Sequence, residues 1–141
     1  MIRFIYPLLI VCLFACQNKI GGQDENVTKT REMFEAFNRH NWQAMANYYS
    51  QTASFLDPSF GTAYVDKTRE ETVAKYAEME KMFPDVHDEI TGIYPSEDKV
   101  IVEFIASGTG PDSVRLKLLI ISVLTFKDGL IVKDATYYDN P

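Results

Sequence analysis

The 141-residue sequence predicts an α+β fold, in which a curved antiparallel sheet wraps around N-terminal helices and forms a cone with a hydrophobic pocket. Two observations lead to this prediction. Helical spacing of apolar residues is confined to the chain before residue 85, and β-rich runs separated by turns dominate after it. Helices grouped ahead of consecutive strands are typical of α+β domains. A hydrophobic content of 46%, with 13% aromatic residues, is enough to build a core of this kind.

Three helices are predicted in the first part of the chain. Apolar residues at three- and four-residue spacing begin the first helix at about Asp24. Asn41 is a good N-cap for a shorter helix over Trp42–Tyr49. The segment Thr68–Glu71 has the spacing of a capping box, and the helix that it starts is expected to end before Phe83-Pro84.

The strands are predicted from β-rich runs and from turn residues. A short strand, Ala53–Leu56, precedes the third helix, and the chain becomes extended again from Asp85 to Tyr94. A tight hairpin turn at Lys127–Gly129 joins the last two strands. The remaining strands of the meander are Val100–Ala106, Val114–Phe126 and Leu130–Tyr138.

The first residues have the pattern of an export signal. One basic residue precedes an apolar run that ends at Ala15 and is shorter than the roughly 20 residues of a membrane-spanning helix. The end of this run resembles the lipobox of bacterial lipoproteins, in which a small residue precedes a cysteine that becomes lipidated. The resemblance implies a signal peptide over residues 1–15, lipidation of Cys16 and a flexible tether over residues 16–25. An ordinary signal peptide and an uncleaved anchor are the alternatives.

The lipobox resemblance also implies a location, the cell envelope, with the domain held by a lipid anchor in the membrane. Gln17, which follows the cysteine, is not the Asp of the inner-membrane retention signal, so the outer membrane is favoured.

Composition and motifs exclude several classes of function. The formal net charge is −6 and no cluster of Lys or Arg is present, which disfavours nucleic-acid binding. His40 and His87 are the only histidines, and the string His87-Asp88-Glu89 lacks the convergent ligands that a zinc site needs. A nucleophile elbow and a Gly-rich phosphate loop are both missing. We therefore expect no metal and no cofactor.

Asp57 is the acid whose position is most informative. It ends an apolar strand immediately before Pro58, which has no N–H for a ladder hydrogen bond. A carboxylate at this point is either a functional group on a pocket wall or an acceptor for amides of its own Asp-Pro turn. The residues alone leave both alternatives open.

Several strings along the chain share one family pattern. They are Asn41-Trp42-Gln43-Ala44, Tyr48-Tyr49, Ala53–Pro58 with Gly61, Phe83-Pro84-Asp85, Ser107–Gly110, Phe126–Ile131 and Tyr137-Tyr138-Asp139. Together they resemble the SnoaL-like and ketosteroid-isomerase-like group of the nuclear transport factor 2-like superfamily. The resemblance covers residues 26–141 and implies a cone-shaped domain. This superfamily hosts isomerases, cyclases, dehydratases, hydrolases and binding modules, so the resemblance does not single out one activity.

The resemblance assigns a base to Asp57. In ketosteroid isomerases the Asp of the matching Asp-Pro moves a proton next to a carbonyl group, and desolvation at an apolar wall is expected to raise its pKa. The oxyanion donors of those enzymes, a Tyr and a second Asp, fall on Met33 and Ser122. Met33 cannot donate a hydrogen bond and Ser122 is a weaker donor than a protonated acid, so orthodox ketosteroid isomerase activity is not expected.

Strand alternation and the resemblance extend the set of candidate residues. Asp134 and Glu103 are further candidate acids, and each has the alternative of an ordinary polar strand position. Tyrosines are expected on the wall of a pocket for a flat apolar ligand, although they are first of all core aromatics. The complete set is Asp57, Asp134 and Glu103 for acid–base chemistry, and Tyr49, Tyr76, Leu118, Ile120, Ser122, Thr136 and Tyr138 for ligand binding.

The predicted strand Val114–Phe126 is apolar on both faces, which indicates that a partner covers the face directed away from the pocket. If Ser122 faces the pocket, the opposite face carries Leu119 and Ile121. A sheet that is apolar on both faces is buried on both, and homodimers are common in this superfamily, so we expect a homodimer.

Three hypotheses follow for function. The first is an envelope-anchored domain that binds a small hydrophobic molecule and performs cofactor-independent isomerase, cyclase or dehydratase chemistry at Asp57. The second is a non-catalytic ligand-binding module, and the third is a protein-interaction scaffold whose cone is filled with side chains. Whether the protein is an enzyme stays open at this point.

Overall fold

The computed structural model describes residues 14–139, with side chains from residue 22 onward, and in this part of the chain three α-helices pack against one six-stranded sheet. Short 3₁₀ turns occupy Pro58–Phe60 and Pro111–Ser113. The helices are α1 (Phe14–Asn38), α2 (Trp42–Ala46) and α3 (Arg69–Met82), and the strands are β1 (Tyr49–Leu56), β2 (Val65–Thr68), β3 (His87–Ser96), β4 (Lys99–Thr109), β5 (Arg115–Lys127) and β6 (Leu130–Tyr137).

The predicted α+β architecture is confirmed, and the strand order along the sheet is β2-β1-β6-β5-β4-β3. Strands β3 to β6 form the predicted antiparallel meander. The last hairpin turns at Asp128 and Gly129, which both have positive φ, as a two-residue type I′ turn requires. β6 then pairs with β1 in parallel, and β2 adds an antiparallel strand at the edge that the sequence analysis did not predict.

The predicted caps of α2 and α3 are both confirmed. Asn41 accepts a hydrogen bond from the backbone N–H of Ala44. Thr68 and Glu71 form a reciprocal capping box at the start of α3, which ends at Met82, as Phe83-Pro84 predicts.

The N-terminal predictions meet the structure only in part. Helix α1 begins at Phe14, earlier than predicted, and the backbone of the predicted tether, residues 16–25, lies in it. Residues 1–13 of the predicted signal peptide lie outside the described residues. None of the helices in the described part of the chain is long and apolar enough to cross a membrane.

The prediction that α2 reaches Tyr49 was wrong. The helix ends at Ala46, and the backbone carbonyl of Tyr48 already accepts a hydrogen bond from Ile131 on β6. Tyr49 is therefore the first residue of β1, and the guanidinium of Arg69 holds its carbonyl at 2.6–2.8 Å. Cross-strand pairing here outweighs the helical spacing that Trp42, Met45 and Tyr49 share.

The core lies between α1 and the concave face of the sheet. One face of α1 is buried there, and Phe34 packs edge-to-face on Phe104 of β4 with ring centroids 5.0 Å apart. α3 packs against α2 and against the strands β1 and β2; half of its side chains are half-buried, and Thr72 is its only buried residue. Residues of α3 also line a cavity that remains between this helix and the sheet.

Candidate functional site

A cavity of about 370 Å³ opens between α1, α3 and the concave face of the sheet. Most of its lining is apolar, with Met33, Phe37, Phe104 and Leu124 as examples, and its polar groups come from β1, α3, β3, β5 and β6. This combination of an apolar cavity with a few polar groups is typical of a small-molecule site. A cone filled by side chains, which would have favoured a pure interaction scaffold, is not what the structure contains. The predicted residues that line the cavity are Asp57, Asp134, Tyr49, Tyr76, Leu118, Ile120, Ser122, Thr136 and Tyr138.

Glu103 is the one predicted site residue outside the cavity, and its predicted orientation was wrong. It lies on the other face of β4, where its carboxylate accepts a hydrogen bond from Tyr94 at 3.3 Å. The buried face of β4 is Val100, Val102, Phe104 and Ala106. Alternation had correctly separated the two faces, but both are largely apolar, so it could not tell which one faces inward.

Asp57 caps its own turn and also faces the cavity. Oδ1 accepts hydrogen bonds from the backbone N–H of Ser59 at 2.8 Å and from the Tyr138 hydroxyl at 3.0 Å. Oδ2 accepts from the Lys75 ammonium at 2.8 Å. The two alternatives that the sequence left open are therefore both realised by one side chain. Lys75, which the sequence analysis had not included, belongs to the site.

The pKa of Asp57 lies below its ordinary value, which corrects the expectation of a raised pKa. Burial does act to raise it, but the charge and hydrogen bond of Lys75 and the amide of Ser59 together outweigh burial. Asp57 is therefore ionised at neutral pH. At that pH it has the proton-accepting form, although its affinity for a proton is lower than that of an ordinary aspartate.

Asp134 is fully buried in a chain of hydroxyl groups. It accepts hydrogen bonds from Tyr49 at 2.8 Å and from Thr136 at 3.1 Å. Burial raises its pKa, and these two hydrogen bonds only partly oppose that effect. Asp134 thus binds a proton more readily than Asp57, with which it shares the cavity.

Ser122 falls at the position of the second Asp of ketosteroid isomerases, but it does not take over that residue's role as an oxyanion donor. Its Oγ lies 2.8 Å from Oγ1 of Thr136. Thr136 has one hydrogen and gives it to Asp134, so Ser122 must be the donor in the Ser122–Thr136 pair. Ser122 can still accept a hydrogen bond from a ligand, but it has no hydrogen left to donate.

Tyr76 provides a phenolic hydroxyl that points to the same cavity from α3. Its ring stacks on Trp42 and meets Phe37 edge-to-face, which fixes its orientation. Burial raises its pKa well above the ordinary value, and the nearby carboxylates of Asp134, Asp57 and Asp88 add to this shift. No hydrogen bond ties the hydroxyl to another residue in the range 22–139, so it can donate to a ligand oxygen.

Asp88 on β3 is a cavity residue that the sequence analysis did not single out as a site residue. It is 8% exposed, and burial raises the pKa of its carboxyl group from 3.8 to about 7. The signal that could have found it is alternation, because Asp88 shares a strand face with Val86 and Ile90. A metal site does not form here: within the described residues, no three His, Cys, Asp or Glu side chains group in a way that could hold an ion.

Comparisons with known proteins agree with the fold. Residues 30–133 match the family model described as SnoaL-like domain. No curated protein matches the chain.

Solved structures show the same fold at low sequence identity. A protein of ketosteroid isomerase-like fold from Catenulispora acidiphila, in complex with trimethylamine, is 20% identical with a TM-score of 0.70, over 79% of this chain and 85% of its own. Bal32a, from a soil-derived mobile gene cassette, is 19% identical with a TM-score of 0.74, over 84% and 92%. SalBIII, an epoxide hydrolase/cyclase-like enzyme in pyran ring formation in salinomycin, is 19% identical with a TM-score of 0.72, over 82% and 92%. At these identities the likeness concerns the fold alone.

Proposed function

The chain belongs to the SnoaL-like domain family, and from this premise we propose that it binds a small hydrophobic molecule in its cone and performs cofactor-independent acid–base chemistry on it. The reaction is of the isomerase, cyclase or dehydratase type, with Asp57 as the base. The observation that carries the proposal is an ionised carboxylate, held in place by three donors, on the wall of an otherwise largely apolar cavity.

The reaction that this site supports is removal of a proton next to a carbonyl group of the ligand. Asp57 would accept that proton, and the charge that develops on the carbonyl oxygen would be stabilised by hydroxyl donors in the cavity. Tyr76 supports this role, because its hydroxyl hydrogen is not given to another described residue. It takes the place of the donors that Met33 and Ser122 do not supply.

The test is exchange of carbon-bound hydrogen in D₂O with β-tetralone, a two-ring ketone, as the probe. Proton NMR measures the rate at which its α-protons are lost. We expect the wild-type protein to accelerate exchange over buffer, and Asp57→Asn to remove at least about 10²-fold of that acceleration. Circular dichroism establishes that the variant is folded.

Glu103→Gln is the matched control, because it removes an acid from the same sheet on the face away from the cavity. It should exchange at the wild-type rate. Exchange at the buffer rate in the wild type, or an unchanged rate in Asp57→Asn, contradicts the catalytic proposal.

A second candidate function is a non-catalytic binding module that uses the same cavity. The observation that favours it is the saturation of Asp57 by Ser59, Lys75 and Tyr138, which lowers its pKa and makes it a rigid polar anchor. Native mass spectrometry of the purified domain separates the two candidates in combination with the exchange assay. A retained ligand without any exchange activity supports the binding module.

We also propose that the domain is held at the cell envelope by lipidation of Cys16, with the outer membrane as its location. The support is the sequence pattern alone: an apolar run that ends in Ala15-Cys16. Expression of the full chain with radiolabelled palmitate should label the wild type and leave Cys16→Ser unlabelled. An unlabelled wild type, or equal membrane fractions for both chains, contradicts this proposal.

A further inference from the structure

Asp88 differs from the other cavity acids because none of the described side chains or backbone amides donates a hydrogen bond to its carboxyl group. In the range 22–139, no side chain or backbone N–H donates a hydrogen bond to its carboxylate oxygens. All fully enclosed polar side-chain atoms in that range do have partners. The oxygens of Asp88 therefore keep contact with the open space of the cavity, where a ligand can reach them.

The position of Asp88 is fixed by its backbone. The side chain of Asn38 at the end of α1 accepts from the Asp88 N–H and donates to the Asp88 carbonyl, both at 2.8 Å. Asp88 lies opposite Ala106 on β4, which in turn lies opposite Leu118 on β5. Leu118 is four residues along β5 from Ser122, so the Asp88 carboxyl reaches the cavity away from the hydroxyl chain at Asp134.

Few charged groups face Asp88 from the elements packed against it. From α3, Tyr76 and Glu78 line the same cavity, and Lys75 is engaged by Asp57. From the turn after α1, His40 contacts the carbonyl of Val86, two residues before Asp88, and pairs with Glu80. Burial is the one cause of the raised pKa of Asp88, about 7, and no cation opposes it. The neutral acid is therefore well populated near neutral pH.

We propose that Asp88, as a neutral carboxylic acid, donates a hydrogen bond to an oxygen atom of the ligand on the β3 side of the cavity. The inference rests on the proposed ligand-binding function and makes it more specific. The ligand class is an uncharged, largely apolar molecule with a carbonyl, ether or hydroxyl oxygen. A cationic amine would need the ionised form of Asp88, which burial disfavours.

The test compares three naphthalene probes that differ in one group: an acetylnaphthalene, an ethylnaphthalene and a naphthylethylamine. Chemical-shift titrations of the labelled protein give each dissociation constant between about pH 6 and about pH 8. The ketone should bind about tenfold more weakly at the upper pH, because Asp88 has lost its proton there. The hydrocarbon should bind with no pH dependence.

Variants assign the effect to one side chain. Asp88→Asn keeps a donor that does not titrate, so it should bind the ketone with a flat pH profile. Asp88→Leu should lose the ketone preference and keep the hydrocarbon. Glu89→Gln, an exposed neighbour on β3, is the matched control and should behave as the wild type. Both Asp88 variants remove an unpaired buried carboxyl, so folding is not expected to suffer.

The possible outcomes separate this inference from the proposed function. If the hydrocarbon and ketone bind but ketone affinity is flat with pH, or unchanged in Asp88→Leu, the inference is wrong and the ligand cavity stands. If the amine binds best and gains affinity as the pH rises, Asp88 is a counter-ion and the inference is wrong. If no probe binds to any form, the cavity is not a site for molecules of this class, and the proposed function fails with it.

Discussion

Asp57 and Asp88 both line the cavity, but they differ in the groups around their oxygens. Asp57 has the Lys75 ammonium at 2.8 Å together with a hydroxyl and an amide, and its pKa is lowered. The carboxyl group of Asp88 is buried without a hydrogen-bond donor or cation among the described residues, and its pKa rises to about 7. Two carboxyl groups with opposite shifts can divide the roles of ionised base and neutral donor in one site.

Lys75 is the strongest of the groups that lower the pKa of Asp57, so Lys75→Met should raise that pKa. Without the cation, burial is opposed only by the hydrogen bonds to Asp57 that remain, and we expect a clear upward shift. The acid limb of the pH profile for tetralone exchange should move up by the same amount. Carboxyl-carbon NMR of labelled Asp57 measures the shift directly.

Lys67→Met provides the comparison for Lys75→Met. Lys67 also lies over the ring of Phe60, but it pairs with Glu71 and does not contact Asp57. The Lys67→Met variant should therefore leave the titration of Asp57 unchanged. A profile that does not move in Lys75→Met would mean that Lys75 does not control this carboxylate.

Asp88 should make the protein less stable as the pH rises from about 4 to about 7. Its pKa is raised in the folded state, so its contribution is fully present below the unfolded pKa of 3.8 and is lost as the pH passes through about 7. Asp88→Asn removes this loss. In urea unfolding at about pH 8, the free energy of unfolding of Asp88→Asn should exceed that of the wild type by on the order of 2–4 kcal/mol. At about pH 4 the two proteins should differ little. An equal difference at both pH values contradicts a buried, unpaired acid.

At the scale of elements, the sequence predicted correctly those features that depend on residues close together in the chain, such as the helix caps. Asn41 and Thr68–Glu71 cap the helices that they were expected to cap, and Ser122, which the family resemblance suggested for the pocket, lies on the cavity face of β5. Glu103 and Tyr49 were misplaced because their positions depend on the pairing of distant strands, which a sequence window does not contain. Asp88 shares an alternation face with Val86 and Ile90, but that pattern does not show that the face is buried, because its partner α1 lies fifty residues away in sequence.

The capping box of α3 gives a prediction for one element. Thr68 accepts from the Glu71 amide, and Glu71 accepts from the Thr68 amide. Thr68→Ala should lower the free energy of unfolding by about 1 kcal/mol, whereas Thr68→Ser keeps the hydroxyl and should cost less. Chemical denaturation of the two variants checks this, and equal losses in both would show that the hydroxyl does not stabilise the helix.

At the scale of the whole molecule, the outer face of the sheet has side chains that a single chain leaves uncovered. Leu119 is 75% exposed, Tyr137 53% and Ile121 42%. Ile121 lies opposite Tyr137 on β6 and opposite Glu103 on β4, so these side chains form one continuous surface. We propose that a second copy of the chain covers this face.

The dimer should depend on Leu119, the most exposed apolar side chain on that face. Leu119→Asp places a charge where the two copies would bury a leucine, so it should shift the protein toward monomer. Val114→Asp is the matched control, because Val114 is 63% exposed but lies in the turn before β5 and not among the paired residues of the sheet. Sedimentation equilibrium measures both variants beside the wild type. A wild type that is monomeric at high concentration would show that the outer face is left to solvent, and a Leu119→Asp variant that still dimerises would show that the copies meet through another surface; either result contradicts the proposal.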